Sequence, residues 1–235
     1  MALDKSKIKQ FPLSENQYYK EEFKKNQIYL HHTVSGDGAD GDINYWKNTP
    51  ERVATAFVIE RDGDIIQCFS SKYWAHHLGV TTEVLKKNGI PTNRNIELNK
   101  ESIGIEIDSW GGLAKDTTDN KWYPAKWDVS KKFVANKACK PIPTENVIEY
   151  PNGFRGFYAF EKYTPQQIQS TKDLLVYLCD TYKISKVFNP DIFDITKRAY
   201  NKESGVFSHV SVRADKSDCN PQIELIDMLK SLSSC

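Results

Sequence analysis

Cysteine is sparse and scattered in this chain. Its five thiols, Cys68, Cys139, Cys179, Cys219 and Cys235, are odd in number and far apart. That excludes the disulfide framework of a small secreted domain and fits reduced synthesis, with one thiol free for a metal. Charge of one sign is also missing. Lys and Arg number 32 against 31 Asp and Glu, a formal net charge of +1, so bulk electrostatics makes no case for nucleic acid or an anionic membrane as partner. No run approaches the roughly 18 apolar residues that a transmembrane helix needs. The opening Met1–Lys7 has no apolar core of the secretory kind, and the expectation is cytoplasmic synthesis, with any substrate outside the cytoplasm reached after release or delivery by other means. Repeats, low-complexity linkers and composition breaks are absent too, which favours one domain across all 235 residues.

What is present is a 39% apolar, 27% charged chain of ordinary globular type. Residues 1–26 read as a polar lead-in that either packs a few aromatics against the rest or hangs as a loosely held arm. The stretch Gln27–Thr33 reads as a buried strand that ends in two histidines. A period of two places Ile28, Leu30 and His32 on one face and Tyr29, His31 and Thr33 on the other. Adjacent histidines on a strand do not readily serve one metal, so His31, on the more polar face, is the better ligand, and His32 packs or hydrogen-bonds. The acidic loop Ser35–Asp42 does not match the spacing of an EF-hand, and a short helix is expected through Asn44–Lys47. Thr55–Glu60 and Asp64–Phe69, joined by Arg61-Asp62-Gly63, carry a strong hairpin signal.

Another strand is expected around Ser102–Asp108, with Gly104, Glu106 and Asp108 opposite Ile103, Ile105 and Ile107. A glutamate amid isoleucines is either on a solvated sheet face or has a partner or a task that offsets its burial. Residues 110–160 are aromatic-rich and read as a long, irregular insertion, a folded excursion fit to wall a groove or simply to pack. Thr164-Pro165-Gln166-Gln167 is a capping-box start for a helix with the stripe Ile168, Leu174, Leu175, Leu178 and Tyr182. A last helix after Asn220-Pro221 is expected to bury Ile223, Ile226, Leu229 and Leu232. One histidine of the first strand, His209 and Cys219 would make a three-ligand metal set. Three protein ligands leave a coordination position open, as a catalytic metal site requires; a closed structural site would need His32 or His76 as a fourth.

Taken in order, four pieces resemble the zinc-dependent N-acetylmuramoyl-L-alanine amidases related to phage lysins and to the peptidoglycan recognition proteins: Tyr29–Thr33, Phe57–Gly63, Ser102–Glu106, and His209 with Cys219 followed by Pro221. Ala75-His76-His77-Leu78-Gly79 is similar to that family's Ala-Trp-His-Ala-Gly groove segment and aligns His77. The resemblance implies an α/β fold, a mixed central β-sheet flanked by α-helices. It implies Zn2+ held by His31, His209 and Cys219, with Glu106 as the proton-transfer residue. The substrate it implies is peptidoglycan, cut between N-acetylmuramic acid and L-alanine; with no signal segment, a phage endolysin or a secreted antibacterial effector is expected, acting on the wall as a monomer. Two positions depart from the pattern. Thr55 stands where other members have Tyr, and Ser217 stands where many have an oxyanion-stabilising Lys, which leaves Lys216 or Arg213 for that role. Trp74, His77, Asn99 and Arg213 are the expected substrate contacts. A non-catalytic peptidoglycan receptor and a peptidase acting within the stem peptide are the competing readings.

Overall fold

The computed structural model describes residues 3, 6, 8–36, 38–129 and 132–234. Most of the opening Met1–Lys7, Asp37 of the acidic loop and Cys235 lie outside the described residues. The N-terminal arm carries β1 (Ile8–Gln10), and β2 (Gln27–His32) follows with all six residues buried. Next come α1 (Asp40–Asn48) and the hairpin of β3 (Phe57–Ile59) and β4 (Ile65–Gln67). Two helices that the sequence pattern does not announce, α2 (Thr82–Lys87) and α3 (Arg94–Lys100), lead into β5 (Ser102–Ile107). Five strands succeed it: β6 (Gly112–Lys115), β7 (Trp122–Trp127), β8 (Phe133–Ala135), β9 (Val147–Phe154) and β10 (Phe157–Glu161). The chain closes with α4 (Pro165–Tyr182), α5 (Lys197–Tyr200), β11 (Gly205–Ser208) and α6 (Ile223–Ser231).

Six strands form the central mixed sheet in the order β1-β4-β3-β5-β2-β11. β3, β5, β2 and β11 run parallel, and β4 returns antiparallel against β3. Strands buried on both faces are the mark of a parallel sheet core, and Ile28, Leu30, Ile103, Ile105 and Ile107 supply it. The hairpin turns at Gly63, whose φ of +92° suits glycine and where a Cβ would lie 2.9 Å from Gln166 Cβ on α4. That helix starts on the capping box of Thr164 and Gln167. Gln167 Nε2 also donates to the Ile59 carbonyl at 3.3 Å and the Asp108 carbonyl at 2.7 Å, which fixes α4 across the carboxyl ends of β3 and β5.

Two expectations need correction. Residues 110–160 form a folded excursion but a regular one: β6 to β10 make a second, antiparallel sheet in the order β8-β7-β6-β10-β9, with a small apolar cluster of its own around Leu113, Val147 and Ala159. On α6, Ile223 is 56% exposed, and the buried residues are Leu225, Met228 and Leu229, followed by Leu232. That set spaced i, i+3, i+4, i+7 is a true helical stripe, whereas a strict i, i+3 series drifts off the face. In the N-terminal arm β1 pairs with β4, and Tyr18 stacks on Phe69 with ring centroids 5.0 Å apart.

Parallel strands end together. Glu106 is the register partner of His31, and His209 follows Ser208, the partner of Leu30, so three chemically active side chains meet at the carboxyl edge of β5, β2 and β11. In open α/β sheets this edge is where ligands bind.

Candidate metal centre and its cleft

Alternation along β2 sends its two histidines to opposite faces. His32 Nδ1 lies 3.0 Å from the Tyr163 hydroxyl, just ahead of α4. His31 turns the other way, towards His209, which opens a short turn after β11. A backbone bond from Val210 N–H to the Asp218 carbonyl, 3.1 Å, closes the 209–218 loop and brings the Asp218 carboxylate alongside His209. The three donor atoms are then mutual neighbours. His31 Nδ1 is 3.0 Å from His209 Nδ1 and 3.2 Å from Asp218 Oδ2, and His209 Nδ1 is 2.9 Å from Asp218 Oδ2.

Those separations fit one metal ion. Tetrahedral zinc with bonds of about 2.0–2.1 Å to N and O places its donors about 3.3 Å apart. Chemistry agrees with geometry. The Leu78 carbonyl, 2.9 Å from His209 Nε2, can only accept, so that nitrogen carries a hydrogen and Nδ1 is the atom turned to the cluster. A carboxylate facing ring lone pairs at such range needs a cation between them. Burial, and then the proximity of His209, lower the His31 pKa to about 4, which keeps the ring neutral as a ligand must be. For Asp218 the neighbouring His209 and His31 outweigh the upward push of burial and hold the carboxyl well below the usual carboxylate range.

The structure thus brings Asp218, and not the expected Cys219, together with His31 and His209. Neighbouring side chains diverge here: Cys219 is fully buried and hydrogen-bonds with Tyr163, and burial raises its thiol pKa far above the ordinary value. It belongs to the His32 side. Among the described residues, Cys219 joins no group of potential ligand atoms with His31 and His209.

This cluster of His31, His209 and Asp218 opens into a cleft of about 480 Å³. His31, Glu106, His209, Lys216 and Asp218 line it from the central sheet and its loops, Tyr45 and Trp46 from α1, and Phe133 and Phe157 from the second sheet. Glu106 is half-buried, and its Oε2 is hydrogen-bonded to nothing. Desolvation, followed by the charges of Asp218 and Asp42, raises its pKa well above the carboxylate norm. A desolvated carboxyl with a spare oxygen beside a ligand cluster is what general acid–base chemistry calls for. His77 also borders the cleft, but its ring is engaged behind His31.

Three expected substrate contacts lie elsewhere. Trp74 is buried under the N-terminal arm, stacked on Tyr19 at 3.9 Å with its indole N–H donated to Glu21. Asn99 is buried, and its Oδ1 accepts the backbone N–H groups of His77 and Leu78 at 2.9 and 3.2 Å. Arg213 spends its guanidinium on both oxygens of Asp215 and on the Gly79 carbonyl. Asp218 and Tyr163 are the residues that sequence reasoning passed over. For Asp218 the signal was there, an acid immediately before the cysteine.

Comparison with known proteins follows the same lines. A family model described as N-acetylmuramoyl-L-alanine amidase matches residues 23–149. No curated protein matches the chain. Among solved structures, a mutant endolysin from Bacillus subtilis is 16% identical with a TM-score of 0.51, covering 99% of each chain. The catalytic domain of XlyA is 16% identical with a TM-score of 0.51, covering 96% of this chain and 98% of its own. The PlyG catalytic domain, in a solution structure, is 13% identical with a TM-score of 0.50, covering 97% and 93%. At these identities the likeness is one of fold.

Proposed function

Because the chain belongs to the N-acetylmuramoyl-L-alanine amidase family, we propose that it is a zinc-dependent, endolysin-like enzyme that hydrolyses the amide between N-acetylmuramic acid and L-alanine in peptidoglycan. The observation that carries this reading is the placement of a three-donor cluster, His31, His209 and Asp218, next to Glu106 on the adjoining strand. When bound, the ion supplies Lewis acidity, which lowers the pKa of water to about 7 and polarises the scissile carbonyl. Three donors leave a coordination position open, as a catalytic site needs.

The rest is the work of the chain. Glu106 takes the proton of the attacking water on its unpartnered Oε2 and gives it to the departing L-alanine nitrogen. Its raised pKa suits both halves of that transfer, a contribution worth about 10²–10⁴-fold. Lys216, on the same cleft, offers a positive charge to the oxygen that becomes negative. Phe133 and Phe157 supply an apolar wall against which the substrate lies.

Digestion of purified peptidoglycan, with and without a chelator, followed by mass analysis tests this. The expected products are intact stem peptides with free L-alanine amino termini, formed only without chelator. Cleavage within the stem peptide would make the protein a peptidase, and binding without cleavage would make it a receptor.

A further inference from the structure

Behind His31 runs a line of hydrogen bonds that leaves its ring no choice of tautomer. Ser102 Oγ donates its single hydrogen to the Leu98 carbonyl, 2.6 Å away. Towards His77 the hydroxyl can then only accept, so His77 Nε2, 2.8 Å off, carries a hydrogen. The neutral His77 ring keeps its lone pair on Nδ1, which lies 3.0 Å from His31 Nε2. His31 must therefore donate from Nε2, and its lone pair is left on Nδ1, facing His209 and Asp218. Were His77 charged, the sequence would run backwards and set a hydrogen on His31 Nδ1, among the donors. Among the described residues no carboxylate touches the His77 ring to favour that state.

The same short segment serves the second histidine. The Leu78 carbonyl accepts from His209 Nε2 at 2.9 Å, and Asn99 Oδ1 holds the segment by the N–H groups of both His77 and Leu78. The sheet has made room for it. A Cβ on Gly104 would lie 3.0 Å from His77 Nδ1 and 2.8 Å from Thr55 Cγ2, so the His77 ring reaches this place because residue 104 is glycine.

We propose that His77 is a positioning residue rather than a substrate contact: with Ser102 beneath it and Asn99 holding its backbone, it fixes His31 as the tautomer that offers Nδ1 to the metal. The inference rests on the zinc reading above for its purpose but not for its geometry. Outer partners of metal-bound histidines orient the ring and set its basicity, and their loss typically weakens metal binding about 10–100-fold.

The test has two arms. Nitrogen-15 NMR of the histidine rings in the metal-free protein reads the tautomers directly, and His31 is expected to carry its hydrogen on Nε2. A His31 ring with its hydrogen on Nδ1 and none on Nε2 would overturn the proposal whether or not the protein binds zinc. Zinc affinity, measured by competition with a chromophoric chelator, is expected to fall about 10–100-fold in His77→Phe and in Ser102→Ala. It should be largely restored in His77→Asn, whose side-chain oxygen can accept in place of Nδ1. Equal affinity in wild type, His77→Phe and Ser102→Ala would refute the relay. A wild type that binds no zinc would instead refute the functional reading, leaving the NMR arm to decide the relay. Ser102→Ala removes one oxygen, so it keeps the affinity arm open should His77→Phe not fold.

Discussion

At position 218 a carboxylate lies 2.9 Å from one ring nitrogen and 3.2 Å from another, while the next side chain turns to Tyr163. The difference between these neighbours is the residue-scale lesson. Alternation along β2 was enough to separate His31 from His32, because a strand's period is fixed by its backbone. No period governs residues 209–219. Their geometry hangs on a main-chain bond between Val210 and Asp218, which depends on the closed loop and not on residue type, so the motif alone points to the neighbouring Cys219. His77 shows the same limit: its position beside the cleft was legible, but its engagement with Ser102 was not. For Glu106 the strand pattern did carry the essential point, an acid placed where burial is unfavourable. Glu106→Gln is expected to keep the fold and the bound metal and to lose at least about 10²-fold in rate. Metal content by emission spectrometry alongside wall-digestion rate checks it; a fully active, zinc-loaded variant would remove Glu106 from the mechanism.

At the scale of elements, what could be read in advance was what local chemistry decides. The Asp-Gly hairpin and the Thr164 capping box each satisfy backbone groups within a few residues, so their sequences announce them. The strands of 112–161 do not. Pro124 interrupts β7 and Pro151 interrupts β9, and proline within an apolar run argues against a strand; β7, β8 and β9 are also half exposed, which blurs alternation. Arg61 ties that second sheet to the first. Its guanidinium reaches Asp108 at 2.6 Å, at the end of β5, and Glu161 at 2.8 Å, at the end of β10. Asp108 has no exposed side-chain surface. Removing the cation while leaving both acids is expected to destabilise the fold by about 3–5 kcal/mol, since an uncompensated buried charge remains. Chemical denaturation of Arg61→Leu measures this; a loss under about 1 kcal/mol would show that the pair behaves as a surface salt bridge.

The whole molecule is two sheets with a cleft between the edge of one and the wall of the other. Among the described residues no helix is long and apolar enough to cross a membrane. Gathering so many buried ionisable groups in one place has a consequence for stability against pH. Burial lowers His31 from 6.5 to about 4 and lowers His32 and His77 in the same direction. Below about pH 6.5 the unfolded chain takes up protons that the folded rings refuse, so stability falls as pH falls through that window. The depressed pKa of Asp218 acts in the same sense at lower pH. Glu106 opposes them: its raised pKa means the folded state gains a proton first, which favours the fold on acidification. The metal-free protein is therefore expected to lose thermal stability between about pH 7 and about pH 4, and Glu106→Gln, lacking the opposing group, to lose it more steeply. Thermal melts with chelator present check both; a flat Tm over that range would contradict the assignment of these rings as neutral.

The identity of the three ligands is best settled by X-ray absorption at the zinc edge on the loaded wild-type protein. Coordination by His31, His209 and Asp218 predicts a first shell of nitrogen and oxygen alone, at about 2.0–2.2 Å, unchanged in Cys219→Ser. A sulfur scatterer at about 2.3 Å that disappears in Cys219→Ser would contradict it.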